Sequence, residues 1–269
     1  MKKLKLNISV LFIILFHLSC TNEVDRANYK HKKVVQDHVK YLFEHASERK
    51  NVLNIEFMGT INLNLRKPNY IILHHTGEKE INEALKYLLT SKREVSAHYV
   101  VKKNGEIVQM GSDYLRLWHA GESRWGSITD MNSCSLGVEL DNDGEEDFPP
   151  KQVAALIDLL NFITQKYNIP SYNILAHSDI TYRKYDPHTK FPWAHLASKG
   201  LGLWYDPTLK EVSADFNSKL HLKAIGYDTR DLNGAIVAFK RHFIPSNDST
   251  RLSPYEKSIL SNLATKSTN

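Results

Sequence analysis

The sequence predicts an α/β domain built on a mixed central β-sheet flanked by helices, followed by a small all-α C-terminal domain. Three observations predict it. Short apolar runs at Tyr70–Leu73, Ser135–Leu140 and Asn173–Ala176 are interleaved with stretches of helical period. An Asn104-Gly105 pair joins two further apolar runs, so part of the sheet is antiparallel. After Asp206-Pro207 the strand signals give way to three short helical stretches.

In chain order, residues 1–19 read as a secretory signal outside the fold. Lys2, Lys3 and Lys5 precede the apolar run Val10–Phe16, and Leu18-Ser19-Cys20 supplies small residues at a cut site. That run is too short to span a bilayer comfortably. Cysteine directly after the cut resembles a bacterial lipobox, in which Cys20 is lipidated and becomes the mature N-terminus. His17 stands where such a motif usually has Leu. Residues 20–50 then read as a lipidated tether, polar over 21–33, with a lead-in helix docked on the main domain. Val34, Val35, Val39, Leu42 and Phe43 give that helix its apolar face.

The main domain is predicted over residues 51–205. Tyr70-Ile71-Ile72-Leu73 has no polar alternation and predicts a strand buried on both faces, ending at His74. Residues 80–91 suit a helix. His98–Val101 and Ile107–Gln109 pair as a hairpin, with Asn104-Gly105 suited to a type I′ turn. Ser135–Leu140 is a further strand. Pro149-Pro150 opens a helix whose Val153, Leu156, Ile157, Leu160, Ile163 and Tyr167 share one face. Asn173–Ala176 is a strand leading into His177. Residues 206–269 are predicted to form a second, small, all-α domain, with helices near 209–224, 231–242 and 253–264 punctuated by Gly226 and Pro245.

Composition removes several classes of function. A chain of 269 residues that is 42% hydrophobic and 24% charged is neither disordered nor collagen-like. Loss of residues 1–19 takes away three lysines and no acid, lowering the net charge from +5 to +2, so nucleic acid is not an expected partner. Two cysteines build no disulfide framework, and Cys134 reads as a buried free thiol. Thirteen histidines, by contrast, point to metal or proton chemistry.

His74, Glu139 and His177 sit at or near strand ends, where an α/β sheet opens into its functional loops. Asp186 follows His177 by nine residues in an irregular segment. Two histidines and a carboxylate are the ligand set of a catalytic zinc that keeps a fourth position for water. A carboxylate beside that water, for which Glu139 is a candidate, serves as general base. Glu139, Asp141, Asp143 and Gly144 also imitate the start of a calcium loop. Its twelfth position is Pro150, however, and a strand precedes it, so residues 141–147 read as a solvated acidic loop.

The order of motifs is more specific. Ile72-Leu73-His74-His75-Thr76, Ser96-Ala97-His98-Tyr99, Trp118-His119-Ala120-Gly121, Ser135-Leu136-Gly137-Val138-Glu139, His177-Ser178-Asp179-Ile180, Arg183-Lys184-Tyr185-Asp186-Pro187 and Phe191-Pro192-Trp193 follow one another. Together they resemble the zinc N-acetylmuramoyl-L-alanine amidases of the amidase-2 group, in their lipoprotein form, over about residues 68–205. Gly226-Tyr227-Asp228 and Ala238–Phe243 are similar to the small helical peptidoglycan-binding domain of such enzymes. The resemblance implies a peptidoglycan-recognition-like fold, with His74, His177 and Asp186 as zinc ligands and Glu139 as the catalytic carboxylate. It implies Lys184 as the cation facing the developing oxyanion, and His98, Trp118 and His119 as lining of the substrate cleft. Strand alternation sends His74 and His75 to opposite faces, and the family pattern selects His74. Two departures stand out: the loop from His177 to Asp186 is one residue shorter, and His188-Thr189-Lys190 replaces a usual Gly-Pro pair.

The implied activity is hydrolysis of the amide between N-acetylmuramic acid and L-alanine in peptidoglycan or muropeptides. The implied setting is a monomer held by its N-terminal lipid in the bacterial envelope, at the outer membrane facing the periplasm. The alternative is a non-catalytic peptidoglycan-binding lipoprotein of the same fold, a state typically reached by losing a metal ligand. A zinc peptidase is disfavoured because the chain has no His-Glu-x-x-His helix.

Overall fold

The computed structural model describes residues 8–44, 62–90, 94–245 and 249–268, with side chains from residue 23 onward except that of Phe43. The chain divides into two compact units, Met1–Asn64 and Leu65–Asn269. Residues 1–7 of the expected signal and the side chain of Cys20 lie outside the described residues, as do 45–61 around the expected start of the main domain.

In the first unit a helix, α1, runs from Ile8 to Glu44. It continues through residues 21–33, where polar composition predicted a tether. The stretch contains neither Pro nor Gly, so nothing local interrupts the i→i−4 ladder. Val34, Val39 and Leu42 are exposed on it. Among the described residues no helix is long and apolar enough to cross a membrane.

The second unit is a five-stranded sheet with helices on both faces. Its strands are β1 (Tyr70–His75), β2 (Tyr99–Val101), β3 (Ile107–Gln109), β4 (Ser135–Leu140) and β5 (Ile174–Ala176), in the order β3-β2-β4-β1-β5. Only the β2–β3 hairpin is antiparallel. Its turn differs from the expected type I′. Gly105 takes a positive φ of 90°, but Asn104 does not. Lys102 carbonyl accepts from Gly105 N–H at 2.9 Å, and Lys102 N–H donates to the Glu106 carbonyl at 2.9 Å. That is a three-residue loop closed by a glycine bulge, the next commonest hairpin after the two-residue form.

Strand pairing follows from β1, whose interior residues are all buried. It lies between β4 and β5, with Ile72 level with Gly137 and Leu175. Alternation then divides the sheet cleanly. Ile71, Leu73, Leu136, Val138 and Leu140 face a helix, α3 (Pro150–Tyr167), packing on its Leu156, Leu160 and Ile163. Pro150 sits at the start of α3, and Asn168 ends it with a left-handed φ of 52°. A shorter helix, α2 (Ile81–Leu89), precedes β2, and α4 (His177–Ile180) continues directly from β5. Next comes α5 (Trp193–Ser198).

The other face of the sheet is covered by α6 (Ser218–Ile225), α7 (Leu232–Phe243) and α8 (Pro254–Thr268). Asn217 caps α6 by accepting from Leu220 N–H, and Asp231 caps α7 by accepting from Gly234 N–H. The predicted first helix is shorter than expected, because residues 209–217 are irregular. Nor do the helices form a body apart. Ile72, Leu175 and Ile180 share one apolar core with Leu222, Phe239 and Leu260. The change of texture at Asp206-Pro207 marks a change of secondary structure, not of packing unit.

Candidate active site

Parallel strands β1, β4 and β5 all end on the same edge, and the candidate residues gather there. His74 is paired with Glu139 across β1 and β4, so both side chains rise from the face that also carries Ile72 and Gly137. Leu73 is paired with Ala176, which places His177 one residue beyond β5, at the start of α4. Asp186 returns from the loop after α4, and its carbonyl accepts from Ser178 N–H at 3.1 Å.

Three side chains meet at one point. His74 Nδ1 lies 3.0 Å from His177 Nδ1 and 2.9 Å from Asp186 Oδ2, and His177 Nδ1 lies 2.8 Å from the same oxygen. Among the described residues this trio is the group able to hold a metal ion, and both histidines are buried. The chemistry of the donors fits. Burial, and then the neighbouring His177, lower the His74 pKa to about 4, so its imidazole is neutral, the form that ligates. Burial opposes the charge on Asp186, but the neighbouring His177, which also hydrogen-bonds to it, holds its carboxyl well below the usual range. Two imidazole nitrogens and one carboxylate oxygen facing a common point constitute a three-ligand, open-sided metal site.

A chain of hydrogen bonds fixes which nitrogen of His74 faces that point. Ser135 Oγ donates to the Met131 carbonyl at 2.5 Å, so it accepts from His119 Nε2 at 3.3 Å. His119, kept neutral by burial and its histidine neighbours, then has a bare Nδ1. That nitrogen accepts from His74 Nε2–H at 3.2 Å, leaving the lone pair of His74 Nδ1 directed at Asp186 and His177. The backbone of His119 is itself fastened, since Asn132 Oδ1 accepts from His119 and Ala120 N–H at 2.9 and 2.8 Å. Gly137 makes room for the ring: a Cβ there would stand 2.4 Å from His119 Cγ.

Glu139 stands beside the trio with one carboxylate oxygen buried and unpartnered. Burial, then the charge of Asp186, push its pKa up to about 8, against the opposing pull of Lys184. A carboxyl poised near neutrality is suited to taking and returning a proton. Glu139, Lys184, Trp118 and His119 line one cleft of about 260 Å³ together with the trio. Lys184 and Trp118 are exposed in it, while His119 forms its floor.

One sequence expectation is placed differently. His98 is fully buried behind the cleft wall rather than in its lining. Its Nδ1 accepts from Gly137 N–H at 3.0 Å and its Nε2 donates to the Leu115 carbonyl at 3.1 Å, so both ring nitrogens are used structurally. His75 points to the opposite side of β1, where its Nδ1 accepts from His188 N–H at 3.1 Å. The unusual His188 thereby has a place, stacked on Phe148 at 4.8 Å. Ser135 and Asn132 escaped sequence reading. Ser135 was detectable in principle, lying two and four residues before Gly137 and Glu139 on one face of β4.

Residues 64–189 match the family model described as N-acetylmuramoyl-L-alanine amidase. The chain is 34% identical over 209 residues to the N-acetylmuramoyl-L-alanine amidase AmiD of Escherichia coli (strain K12), covering 65% of this chain and 75% of that protein. It is 36% identical over 106 residues to the 1,6-anhydro-N-acetylmuramyl-L-alanine amidase AmpD of Haemophilus influenzae, covering 39% of this chain and 58% of that protein. Among solved structures, it is similar to E. coli AmiD in complex with the substrate anhydro-N-acetylmuramic acid-L-Ala-D-gamma-Glu-L-Lys. There the TM-score is 0.66 at 30% identity, over 79% of this chain and 94% of that one. AmpDh3 of Pseudomonas aeruginosa in complex with anhydromuramic pentapeptide gives a TM-score of 0.66 at 26% identity, over 80% and 99%.

Proposed function

The chain belongs to the N-acetylmuramoyl-L-alanine amidase family, and we propose that it hydrolyses the amide between the lactyl group of N-acetylmuramic acid and L-alanine in peptidoglycan or its muropeptide fragments. The observation that carries this reading is the convergence of His74 Nδ1, His177 Nδ1 and Asp186 Oδ2 beside an unpartnered Glu139 carboxylate. Two nitrogens and one oxygen favour zinc. When bound by those three atoms, the ion supplies a Lewis acid for the lactyl carbonyl and acidifies the attacking water.

The protein's own groups do the rest. Glu139 accepts a proton from the water and delivers it to the departing alanine nitrogen. The Lys184 ammonium, exposed on the same cleft, opposes the negative charge that grows on the carbonyl oxygen. Ser135 and His119 hold the His74 ring with its Nδ1 lone pair free. Trp118 offers an exposed indole along the cleft for the apolar face of a sugar or stem peptide. The presence of His74, His177, Asp186 and Glu139 together supports catalysis over a binding role that has lost a ligand.

The reading extends to the cell envelope. Lys2, Lys3, Lys5 and the apolar run before Cys20 support export and lipidation at Cys20, with anchoring at the outer membrane facing the periplasm. The C-terminal helices raise the local concentration of wall substrate around a monomeric enzyme. The test of function is digestion of purified muropeptides by the mature protein, followed by mass spectrometry. Free stem peptides that cease to appear with a chelator are expected. Intact muropeptides in the presence of stoichiometric zinc overturn the proposal. Export is tested separately by metabolic labelling with a fatty acid, which Cys20→Ala abolishes if the anchor is there.

A further inference from the structure

The segment from His177 to Asp186 carries two of the three candidate ligands and Lys184, yet it is mostly irregular chain. What holds it is α7. Arg241 Nη1 donates to the Tyr182 carbonyl at 2.8 Å and to the Lys184 carbonyl at 2.9 Å. The same guanidinium lies 3.8 Å above the Tyr185 ring. The next residue, His242, donates from Nδ1 to Asp179 Oδ2 at 2.7 Å, while its ring stacks on Trp193 at 3.8 Å. Asp179 Oδ2 also accepts from Ala176 N–H at 2.8 Å, and Oδ1 accepts from Tyr227 OH at 2.7 Å, tying the start of α4 to the helical region. One turn into α7, Gly234 lies so close to the Tyr182 ring that a Cβ would stand 2.6 Å from its Cδ1.

Arg241 and His242 are themselves buried. Each turns its polar end toward the 177–186 segment rather than toward solvent, where a helix serving only to hold wall polymer presents such groups. A planar guanidinium whose Nη1 donates to two carbonyls while its plane rests on Tyr185 is pre-organised in a way a lysine is not. Held so, the Lys184 backbone is fixed on one side, and Asp186 is fixed two residues later.

Resting on the amidase reading above, we propose that Arg241, with His242 and Gly234, positions the Lys184–Asp186 loop for metal binding and turnover, so that the C-terminal helices complete the active site from behind. Arg241 touches no reacting atom. It acts through the backbone of the loop, as outer partners of metal ligands commonly do.

The test uses the full chain. Zinc affinity is measured by competition with a chelating dye, and kcat and KM are measured on a soluble muropeptide and on intact sacculi. Arg241→Ala is expected to weaken zinc binding roughly 10- to 100-fold. It should also lower kcat by a similar factor on both substrates while KM changes little. Arg241→Lys, able to reach one carbonyl, should recover part of both. Lys240→Met is the structural control: Lys240 is buried on the same helix but pairs with Glu256 and the Arg251 carbonyl, so its loss should lower Tm with zinc affinity and kcat retained. If Arg241→Ala does not melt cooperatively, Arg241→Lys and Gly234→Ala carry the same readouts. A folded Arg241 variant with wild-type zinc affinity and wild-type kcat overturns the proposal. So does a loss confined to sacculi, which is the signature of a wall-binding helix. If the wild-type protein cuts no muropeptide, the amidase reading fails, and the zinc-affinity arm still decides this one.

Discussion

The two faces of the sheet are made from the same strands and part in character toward the strand ends that carry the site. Along β4, Leu136, Val138 and Leu140 pack on α3 in a predominantly apolar core. The alternate residues Ser135, Gly137 and Glu139 carry a hydroxyl, an empty space and a buried carboxylate. Along β1, Leu73 faces the first side and His74 the second. The first face therefore holds the fold by area removed from water throughout, whereas the second packs Ile72 and Leu175 against α6–α8 and gives up packing only toward the strand ends, to hold polar groups in fixed positions. The contrast predicts that substitutions on the two faces fail in different ways.

The largest separation is expected between Glu139→Gln and Leu156→Ala. Glu139→Gln removes the proton carrier and leaves the trio, so turnover should fall about 10²- to 10⁴-fold with zinc affinity nearly unchanged. Full activity in that variant would show that the base is elsewhere. Leu156 is fully buried under the apolar face, and its truncation to Ala should cost about 2–5 kcal/mol in denaturant unfolding. Turnover per folded molecule should survive it. A Leu156→Ala protein with intact stability, or one folded but inactive, would break the division between the faces.

An intermediate effect is expected where the site face meets its own floor. Gly137→Ala places a methyl within 2.4 Å of His119 Cγ, in a ring that cannot yield without releasing Ser135 or His74. Overpacking of this kind costs about 1–3 kcal/mol. Because the displaced group orients a candidate ligand, zinc affinity should drop about tenfold as well. Equal loss of both in thermal melts and dye competition sharpens the comparison. Loss of stability alone would reduce His119 to a packing group.

The contrast also explains what the sequence could reveal. Strands β1, β4 and β5 were legible because both faces are buried, which writes an unbroken apolar run. His74, Glu139, His177 and Asp186 were legible because chemistry restricts residue type at strand ends and the motifs recur in order. The conformation of 21–33 was not, since polar composition suits a tether or an exposed helix equally. The single packing unit was hidden because Ile72, Leu175 and Ile180 look the same whether α3 or α7 covers them. His98 was misplaced for a related reason: the backbone groups that occupy its two nitrogens, at Gly137 and Leu115, are invisible to side-chain pattern.

The smallest predicted effect is the most specific to the polar face. In the metal-free protein the buried histidines and Glu139 push stability in opposite directions. His74 and His98 have pKa values lowered from 6.5 to about 4, chiefly by burial, so the unfolded chain binds more protons between those values. Stability therefore rises with pH from about 4 to 6.5. Glu139 is raised from 4.5 to about 8, so the folded protein binds the extra proton, and its contribution is lost as pH climbs through that window. Below 6.5 the terms oppose each other. Above it the Glu139 decline is no longer offset by these histidines, giving a metal-free protein most stable near pH 6.5 that loses at most about 2 kcal/mol by pH 8. Glu139→Gln has no proton to surrender, so its chelator-treated melts should stay level from pH 6.5 to 8 while the acid limb is kept. Substitutions on the α3 face should shift the whole curve downward without changing its shape. A parallel alkaline decline in Glu139→Gln would assign that limb to other groups and remove the buried, protonated Glu139 from the picture.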